Sequence, residues 1–420
     1  MELYENSIKP ETAVLVTLDT GDFDAEASLA ELEELARTAG AEVYAKVTQK
    51  REKPDPATFV GSGRLREIKE LCENADIDLL IFDSELTPSQ LRNIEKETDV
   101  RVVDRTTLIL DIFAASARSS EGKLQVELAQ LKYSLPRLTG KGTELSRLGG
   151  GIGTRGPGES KLESDRRHIR RRIHSLETEL AQLEKRRERH RERRKKDGVT
   201  AVAIVGYTNA GKSTLLNTLT DAGVFVEDKL FATLDPTSRA LKLPDGRNIM
   251  LIDTVGFISR LPHKLVEAFK STLEEAVSAD LILNVCDASN EEYEEHLSVT
   301  NDILKELGVE NKPVLNVLNK CDKAENVFTL PENDKNVRLS ALNGTGLDRF
   351  FECMAKLLPN PRKSVKLLLP FNLGSAAAEI RKAGVVSFEE YRPEGIYIEA
   401  VLDETGFKKF RNFELKVENS

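Results

Sequence analysis

The sequence has little of what secreted, disulfide-linked or membrane-embedded proteins rely on. Its 420 residues include no tryptophan, 5% aromatic residues and four cysteines. The cysteines are far apart, show no C-x-x-C spacing and are typical of reduced thiols: Cys72, Cys286, Cys321 and Cys353. Residues 1–5 lack a basic segment followed by an apolar one, and no stretch approaches the roughly 18 apolar residues of a membrane span. We therefore expect a cytoplasmic protein with no membrane span and no cysteine-held metal.

Negative charge dominates the chain as a whole but not one segment of it. The formal net charge is −9, which argues against indiscriminate binding to nucleic acid. Between Lys161 and Asp197, however, there are 15 lysines and arginines and only 8 acidic residues. This asymmetry predicts one basic projection on an acidic body, able to steer the protein toward phosphate groups.

Two heptad-like segments flank a glycine-rich stretch in this part of the chain. Leucines recur in steps of four and three from Leu124 to Leu138, with Pro136 expected to end or kink that helix near its last turn. A second apolar seam runs from Leu162 to Leu183 and is interrupted at Arg166. Two such helices in sequence predict an antiparallel hairpin, although a seam alone is more typical of a helix packed on the body.

The stretch between these helices, residues 139–160, is too rich in glycine to form a packed element. Its cations, Lys141, Arg147 and Arg155, lie among glycines that permit close backbone approach to a confined, phosphate-lined space. A plain flexible connector explains the composition equally well. In the second helix, acid-before-base pairs support a solvated face, but the excess of positive charge favours contact with RNA.

One short segment indicates a phosphate-binding site. An apolar run at 201–205 precedes the string GYTNAGKS, and an amphipathic helical pattern follows it. This order matches the G-x-x-x-x-G-K-[ST] phosphate loop, in which glycines let backbone N–H groups surround an anion at a helix N-terminus. Lys212 would reach the β- and γ-phosphates, and the Ser213 hydroxyl would ligate Mg²⁺. The predicted binding residues of the loop are Gly206, Tyr207, Thr208, Asn209, Ala210, Gly211, Lys212 and Ser213.

Two further motifs supply groups for the transferred phosphate and the metal. Thr233 is placed to bind Mg²⁺ through its hydroxyl and the γ-phosphate through its N–H. Asp253 is placed to orient a magnesium-bound water, and Gly256 to turn its N–H to the γ-phosphate. We therefore take Lys212, Thr233 and Gly256 as catalytic candidates, and Ser213 and Thr233 as metal ligands. The binding residues of these two motifs are Phe231, Ala232, Thr233, Leu234, Asp235, Asp253, Thr254, Val255 and Gly256.

The last two motifs select the base. In the string Asn319-Lys320-Cys321-Asp322, the carboxylate can accept hydrogen bonds from guanine N1–H and N2–H₂, groups that adenine lacks, while the lysine stem covers the base. In Ser340-Ala341-Leu342, a backbone N–H can meet guanine O6. Four motifs in this order, three of them after an apolar strand, are highly specific, since ligands bind at the carboxyl ends of strands in open α/β sheets.

Strand-like and helix-like runs also alternate in residues 12–103, which is typical of a parallel, doubly wound sheet. In this region the turn at 59–64 enters a helix N-terminus; it either holds an anion or, as we favour, is structural. We predict a multidomain α/β chain. Its four parts are an N-terminal parallel α/β domain (1–104), an antiparallel helical hairpin with a glycine-rich basic loop (105–198), a P-loop GTPase domain (199–360) and a small C-terminal α/β domain (361–420).

Three strings carry a resemblance to a known family: Gly206–Ser213, Phe231–Asp235 and Asp253–Gly256. Joined to the upstream hairpin and glycine-rich loop, they resemble HflX proteins, the ribosome-associated branch of the Obg–HflX group of translation-factor-class GTPases. The resemblance covers about residues 10–360. It implies a monomeric, GTP-hydrolysing factor that binds the large ribosomal subunit and its RNA in the GTP state and splits or rescues stalled ribosomes. The alternative is an RNA-binding or RNA-remodelling protein with a regulatory GTPase and a second nucleotide site in the N-terminal domain.

Two positions depart from the pattern of Ras-like GTPases. Where those enzymes have a glutamine that orients the attacking water, this chain has Phe257, which neither donates nor accepts a hydrogen bond. We therefore expect slow intrinsic hydrolysis, stimulated by the ribosome. Asn209 in the phosphate loop resembles a K⁺ ligand of related GTPases, and a loop-stabilising role explains it equally well.

Overall fold

The strands divide between two compact units. The computed structural model describes residues 10–139, 157–196, 198–220, 230–231, 237–260, 262, 265, 275–309, 311–324, 329–359 and 362–415. The first unit comprises Met1–Glu188, Glu227–Asp235 and Ser259–Ser271, and the second comprises Arg189–Val226, Pro236–Ile258 and Thr272–Ser420. No helix within the described ranges is long and apolar enough to cross a membrane.

A four-stranded parallel sheet forms the centre of the first unit. Its strands are β1 (Thr12–Asp19), β2 (Glu42–Lys50), β3 (Leu79–Phe82) and β4 (Arg101–Asp104). They are ordered β2-β1-β3-β4. The central strands β1 and β3 read as continuous apolar runs because helices cover both faces of a parallel sheet.

Four helices surround this sheet: α1 (Ala25–Thr38), α2 (Ser62–Ala75), α3 (Pro88–Thr98) and α4 (Arg105–Ser116). Local signals start them. The Asp24 carboxylate accepts hydrogen bonds from the N–H groups of the first turn of α1. Thr87 forms a capping box with Gln90 at the start of α3. Asp104 caps α4 and is also the last residue of β4, so strand and helix meet without a loop.

A helical hairpin follows. Helix α5 (Ser120–Ser134) ends just before Pro136, and α6 spans Pro157–Lys196. Glu121, near the start of α5, pairs with Arg187 in the second half of α6, at 2.8 Å.

Ion pairs also join the later part of α5 to the middle of α6. The distance is 2.7 Å for both Glu127–Arg172 and Lys132–Glu177. From Glu121–Arg187 to Lys132–Glu177 the contacts advance along α5 and go back along α6, as the predicted antiparallel hairpin requires. Among the seam residues whose burial the structure describes, Leu128 and Leu176 are buried and the others are not.

The second unit contains a six-stranded sheet flanked by helices. The strands are β5 (Thr200–Gly206), β6 (Thr237–Lys242), β7 (Asn248–Asp253), β8 (Leu281–Asp287), β9 (Val314–Asn319) and β10 (Asn336–Arg338), and the helices are α7 (Lys212–Thr220), α8 (Tyr293–Glu306) and α9 (Leu347–Leu357). The order is β10-β9-β8-β5-β7-β6, parallel except for β6. Alternate residues of β5 enter the cores on opposite faces, Val202 and Ile204 on one and Ala203 and Val205 on the other.

A small antiparallel sheet completes the second unit. Its strands are β11 (Lys363–Leu369), β12 (Gly384–Arg392) and β13 (Gly395–Leu402), with β13 in the middle, and its helices are α10 (Gly374–Ala383) and α11 (Glu404–Phe410). The β6–β7 turn lies against it: a Cβ added at Gly246 (φ +81°) would lie 1.8 Å from Val385 Cγ2. Glycine is therefore required there. These observations confirm the predicted multidomain α/β fold with a parallel N-terminal sheet, a hairpin, a P-loop sheet and a C-terminal α/β part.

Candidate nucleotide-binding site

The phosphate loop links β5 to α7 through backbone that only small residues allow. Gly206 and Gly211 have φ of +144° and +89°. A Cβ at Gly206 would lie 2.0 Å from the carbonyl oxygen of Val285, and one at Gly211 2.3 Å from Asn319 Nδ2. Between them Asn209 has φ +57°, a conformation that asparagine tolerates. The glycines of the motif are thus dictated by neighbouring strands as well as by the anion they would surround.

Lys212 begins α7 and folds back over the loop. Its Nζ donates to the carbonyl oxygens of Tyr207 at 2.7 Å and Gly206 at 3.1 Å. The residue is only 7% exposed. Burial lowers its pKa to about 8, against a smaller opposing effect of Asp253. A buried cation with carbonyl acceptors and few neutralising charges is suited to binding an anion.

Oxygen atoms suited to a hard divalent cation lie beside Lys212. Ser213 Oγ donates to Asp253 Oδ2 at 3.0 Å. Mg²⁺ prefers hydroxyl, carboxylate and water oxygens, so this pair fits the metal predicted from the sequence. Thr254 Oγ1 donates to the carbonyl oxygen of Ile204, which ties the motif to the end of β5 at 2.7 Å. Within the described ranges, the buried Thr208 Oγ1 has no hydrogen-bond partner, and a bound ligand would supply one.

The segment after β7 is bonded directly to the phosphate loop. Thr208 N donates to the carbonyl oxygen of Phe257 at 2.7 Å, and Phe257 N donates to that of Gly206 at 3.0 Å. Gly256 is close-packed here, because a Cβ would lie 2.9 Å from both Lys212 Nζ and Thr208 Cγ2. Phe257 is 1% exposed and belongs to an apolar core. A shift of the Gly256 N–H would therefore displace the phosphate loop as well.

The predicted base-selective residues lie at or just after the ends of β9 and β10, and they are hydrogen-bonded to one another and to the phosphate loop. Asn319 Nδ2 donates to the carbonyl oxygen of Ala210, and Asn319 Oδ1 accepts from the N–H of Ala341, both at 2.9 Å. Ser340 Oγ donates to Asp322 Oδ1 at 2.5 Å. The structure thus joins the phosphate loop and both base motifs into one hydrogen-bonded arrangement.

The remaining members of the base motifs are placed as follows. Cys321 N donates to the carbonyl oxygen of Leu339, and Ser340 N to that of Thr345. Leu342 is 75% exposed. Of the three N–H groups considered for guanine O6, those of Ser340 and Ala341 already donate within the protein.

Part of the predicted switch lies outside the described residues, namely Ala232, Thr233, Leu234 and Asp235. Phe231 is described and is buried in the first unit, where its ring meets that of Phe113 edge-on with centroids 4.6 Å apart. The cations of the glycine-rich loop, Lys141, Arg147 and Arg155, also lie outside the described residues.

A buried aromatic contact beneath the phosphate loop is not evident from the sequence. The Tyr207 ring stacks on the imidazole of His296 from α8, with centroids 3.7 Å apart and planes 11° from parallel. A histidine 89 positions away carries no local signal for this contact. The stack supports the backbone carbonyl that accepts from Lys212.

A second cluster that sequence reasoning missed lies in the first unit. Arg105 Nη1 donates to Asp83 Oδ1 at 2.7 Å, and its Nη2 pairs with Glu31. Arg260, four positions after Gly256, donates to Asp83 Oδ2 at 3.0 Å. Asp83 is fully buried and follows β3, so this cluster fills the carboxyl end of the first sheet.

The loop, the paired oxygens and the base motifs together define a P-loop GTPase. Three family models match the chain: the GTP-binding GTPase N-terminal region at residues 26–114, the GTP-binding GTPase middle region at 116–194, and the 50S ribosome-binding GTPase at 201–320. A GTPase HflX of Caldanaerobacter subterraneus subsp. tengcongensis is 51% identical, over 96% of this chain and 94% of its own. The GTPase HflX of Escherichia coli K12 is 43% identical, over 92% of both chains.

A solved structure of SsGBP in complex with GDP is 30% identical, covers 83% of this chain and 98% of its own, and has a TM-score of 0.48. The curated relatives place the chain in a family: it belongs to the HflX GTPases. It therefore binds guanine nucleotides and hydrolyses GTP.

Proposed function

We propose that the protein binds the large ribosomal subunit in its GTP-bound state and splits or rescues stalled ribosomes. Two observations support this. The family model that matches residues 201–320 is described as a 50S ribosome-binding GTPase. The long helix α6 also presents cations in excess of its internal partners, as a surface that contacts RNA would.

Some cations of α6 pair with acidic residues and one neighbouring set does not, and this difference is the observation that carries the proposal. Arg172 and Arg187 pair with α5, and Arg191 and Arg194 pair with Glu275. By contrast, Arg167, Arg170 and Arg171 have no ion pair within the described ranges. They lie on one open face of α6 together with His174, Ser175, Thr178 and Glu179. Unpaired arginines suit phosphate groups, which they bind in a bidentate manner.

At the nucleotide, we assign roles as follows. Lys212 binds the β- and γ-phosphates, while Gly256 and Thr233 present N–H groups to the γ-phosphate. Ser213 and Thr233 hold Mg²⁺, which when bound would neutralise charge on the phosphates. Asp253 orients a water on the metal. Asp322 selects guanine, and K⁺ beside Asn209 is a further candidate, since that side chain is exposed and makes no hydrogen bond within the described ranges.

Hydrolysis by the isolated protein is proposed to be slow. Phe257 is buried and apolar, so it cannot align the attacking water. A partner that supplies this alignment would couple hydrolysis to binding. We infer that the large subunit is this partner, and that the protein acts in the cytoplasm as a monomer.

Sedimentation with purified large subunits tests the proposal. The protein should sediment with them in a non-hydrolysable GTP analogue and much less in GDP. The triple variant Arg167→Ala/Arg170→Ala/Arg171→Ala should lose at least about tenfold in affinity at moderate salt, because each phosphate contact adds to binding. The matched control, Arg37→Ala/Lys305→Ala/Lys356→Ala, removes three exposed cations elsewhere and should bind normally. A protein that never sediments with subunits would overturn the proposal.

A further inference from the structure

Strand register places Asp287 next to the guanine-selective motif. Asp287 is the last residue of β8 and pairs with Asn319, the last residue of the parallel strand β9. The N–H of Ala288 donates to the carbonyl oxygen of Asn319 at 2.8 Å. A side chain at the end of β8 therefore reaches the residue that follows Asn319, which is Lys320.

The Lys320 side chain is anchored at both of its ends. Its Nζ lies 2.7 Å from Asp287 Oδ2, and the two side chains are 23% and 21% exposed. Its backbone has φ +61°, which a residue other than glycine adopts only where the surrounding turn imposes it. The aliphatic stem between these two anchors has little freedom left.

Asp287 is in turn held in place by its own neighbours. Its Oδ1 accepts from Ser289 N at 3.0 Å and from Ser289 Oγ at 2.6 Å. Burial acts to raise the pKa of Asp287, but the hydrogen bonds from Lys320 and Ser289 outweigh it and hold the pKa below its ordinary value. The carboxylate is therefore charged at neutral pH, and it offers Lys320 a fixed partner.

We propose that Asp287 is a positioning residue for guanine recognition, because it pins the Lys320 ammonium so that the stem lies ready to cover the base. The inference rests on the proposed base site at Lys320 and Asp322. Lysine has one of the largest rotamer entropies of any side chain, and fixing it before the ligand arrives lowers the cost of binding. Asp287 thus acts through Lys320 and does not itself touch the nucleotide.

Equilibrium titration with fluorescent GDP and GTP tests this role. Asp287→Asn keeps the size of the side chain and its bond from Ser289, and removes the charge that holds Lys320. It should weaken both nucleotides equally, by about tenfold, because the base is common to both. In steady-state hydrolysis the loss should fall on KM, while kcat at saturating GTP changes less than about twofold. Asp302→Asn, which removes an exposed carboxylate on α8, is the matched control.

A double-mutant cycle separates positioning from a purely structural role. In a Lys320→Met background, Asp287→Asn should have almost no further effect on affinity, because its only route to the base has been removed. An equal loss in both backgrounds, or no loss in the wild-type background, would overturn the proposal. Asp287→Ser provides a second variant should the asparagine variant fold poorly.

Asp322→Asn separates a failure of the proposed base site from a failure of the positioning role of Asp287. If Asp322→Asn leaves guanine affinity unchanged, the proposed base site is wrong. If Asp322→Asn abolishes binding while Asp287→Asn does not change it, the base site stands and the role of Asp287 is wrong.

Discussion

The two parallel sheets of this chain differ in what lies at the carboxyl ends of their strands. In the first sheet, Asp83 meets Arg105 and Arg260, so the protein's own side chains neutralise the position. In the second, Lys212 is buried against carbonyl oxygens and its pKa is lowered, mainly by burial, to about 8. Ligands of open α/β sheets bind at such ends. At the carboxyl ends of the strands, charges are therefore paired within the protein in the first sheet, whereas in the second sheet a buried lysine is suited to binding an anion.

This difference favours one nucleotide site over two. A phosphate at the end of β3 would have to displace ion pairs made by a 2% exposed arginine. At the end of β5 it would supply Lys212 with the counter-charge that burial makes favourable. The comparison thus weighs against the alternative in which the N-terminal sheet uses a nucleotide of its own.

The largest expected effect is a loss of stability in the first sheet, where Asp83 is paired with two arginines. Asp83→Asn leaves Arg105 and Arg260 with less negative charge in a buried setting, and should lower the free energy of unfolding by about 3 kcal/mol. Urea denaturation followed by fluorescence of a dye on the first unit measures it, with Asp334→Asn, which alters an exposed carboxylate, as the control. A loss below about 1 kcal/mol would mean that the cluster is not the internal counter-charge we describe.

The next largest expected effect is on the affinity for guanine nucleotides. Asp322→Asn replaces the carboxylate that we propose accepts from two guanine donors, and should weaken GTP and GDP binding by about a hundredfold, since each charge-assisted hydrogen bond contributes about 1.5–3 kcal/mol. Binding to RNA should fall far less, because α6 lies in a different part of the chain. Titration with labelled nucleotide and a filter assay with ribosomal RNA measure the two affinities. Equal losses in both would contradict the modular interpretation.

Gly256→Ala probes how tightly the phosphate end is packed. The added Cβ would approach Lys212 Nζ and Thr208 Cγ2 to 2.9 Å. Either the lysine or the segment after β7 must move, and the rate of hydrolysis should fall between about tenfold and a hundredfold. GDP affinity should change less, because GDP has no γ-phosphate to meet the displaced N–H. Single-turnover hydrolysis measures the rate, and a GDP loss as large as the loss in rate would show that the loop itself is distorted.

The smallest expected effect is a pH dependence of nucleotide binding. In the free protein the pKa of Lys212 is about 8, and phosphate should raise it by stabilising the ammonium. Above about pH 8 nucleotide binding therefore takes up a proton. The affinity is constant at a pH well below this pKa and falls as the pH rises through it. Without Mg²⁺, GDP should bind about threefold more weakly at pH 8.5 than at pH 7.5. Guanosine, which carries no phosphate, is the control, and an affinity for GDP that rises over this interval would contradict the assignment.

More of the functional residues of the second sheet than of the first could be predicted from the sequence. The glycines and polar residues of the phosphate loop have fixed spacing, because strand, turn and helix follow one another without interruption. The fold class followed from the alternation of strand-like and helix-like runs.

The contacts that sequence reasoning missed join distant parts of the chain. Asp83 and Arg260 are separated by 177 positions, and Tyr207 meets His296 only because α8 packs beside β5. Asp287 ends a predicted strand, but its link to Lys320 depends on the register of β8 and β9. Such pairs have no periodic pattern, so tertiary structure is needed to find them.

The most direct test of the central claim is GTP turnover with and without large ribosomal subunits, in potassium and in sodium buffer. In the second sheet Lys212 is buried at the phosphate loop, and the buried apolar side chain of Phe257 cannot align water. We predict slow turnover by the protein alone, at least about a hundredfold faster turnover with subunits, and loss of that stimulation in the Arg167→Ala/Arg170→Ala/Arg171→Ala variant. Fast turnover that is unaffected by subunits in either buffer would contradict the account.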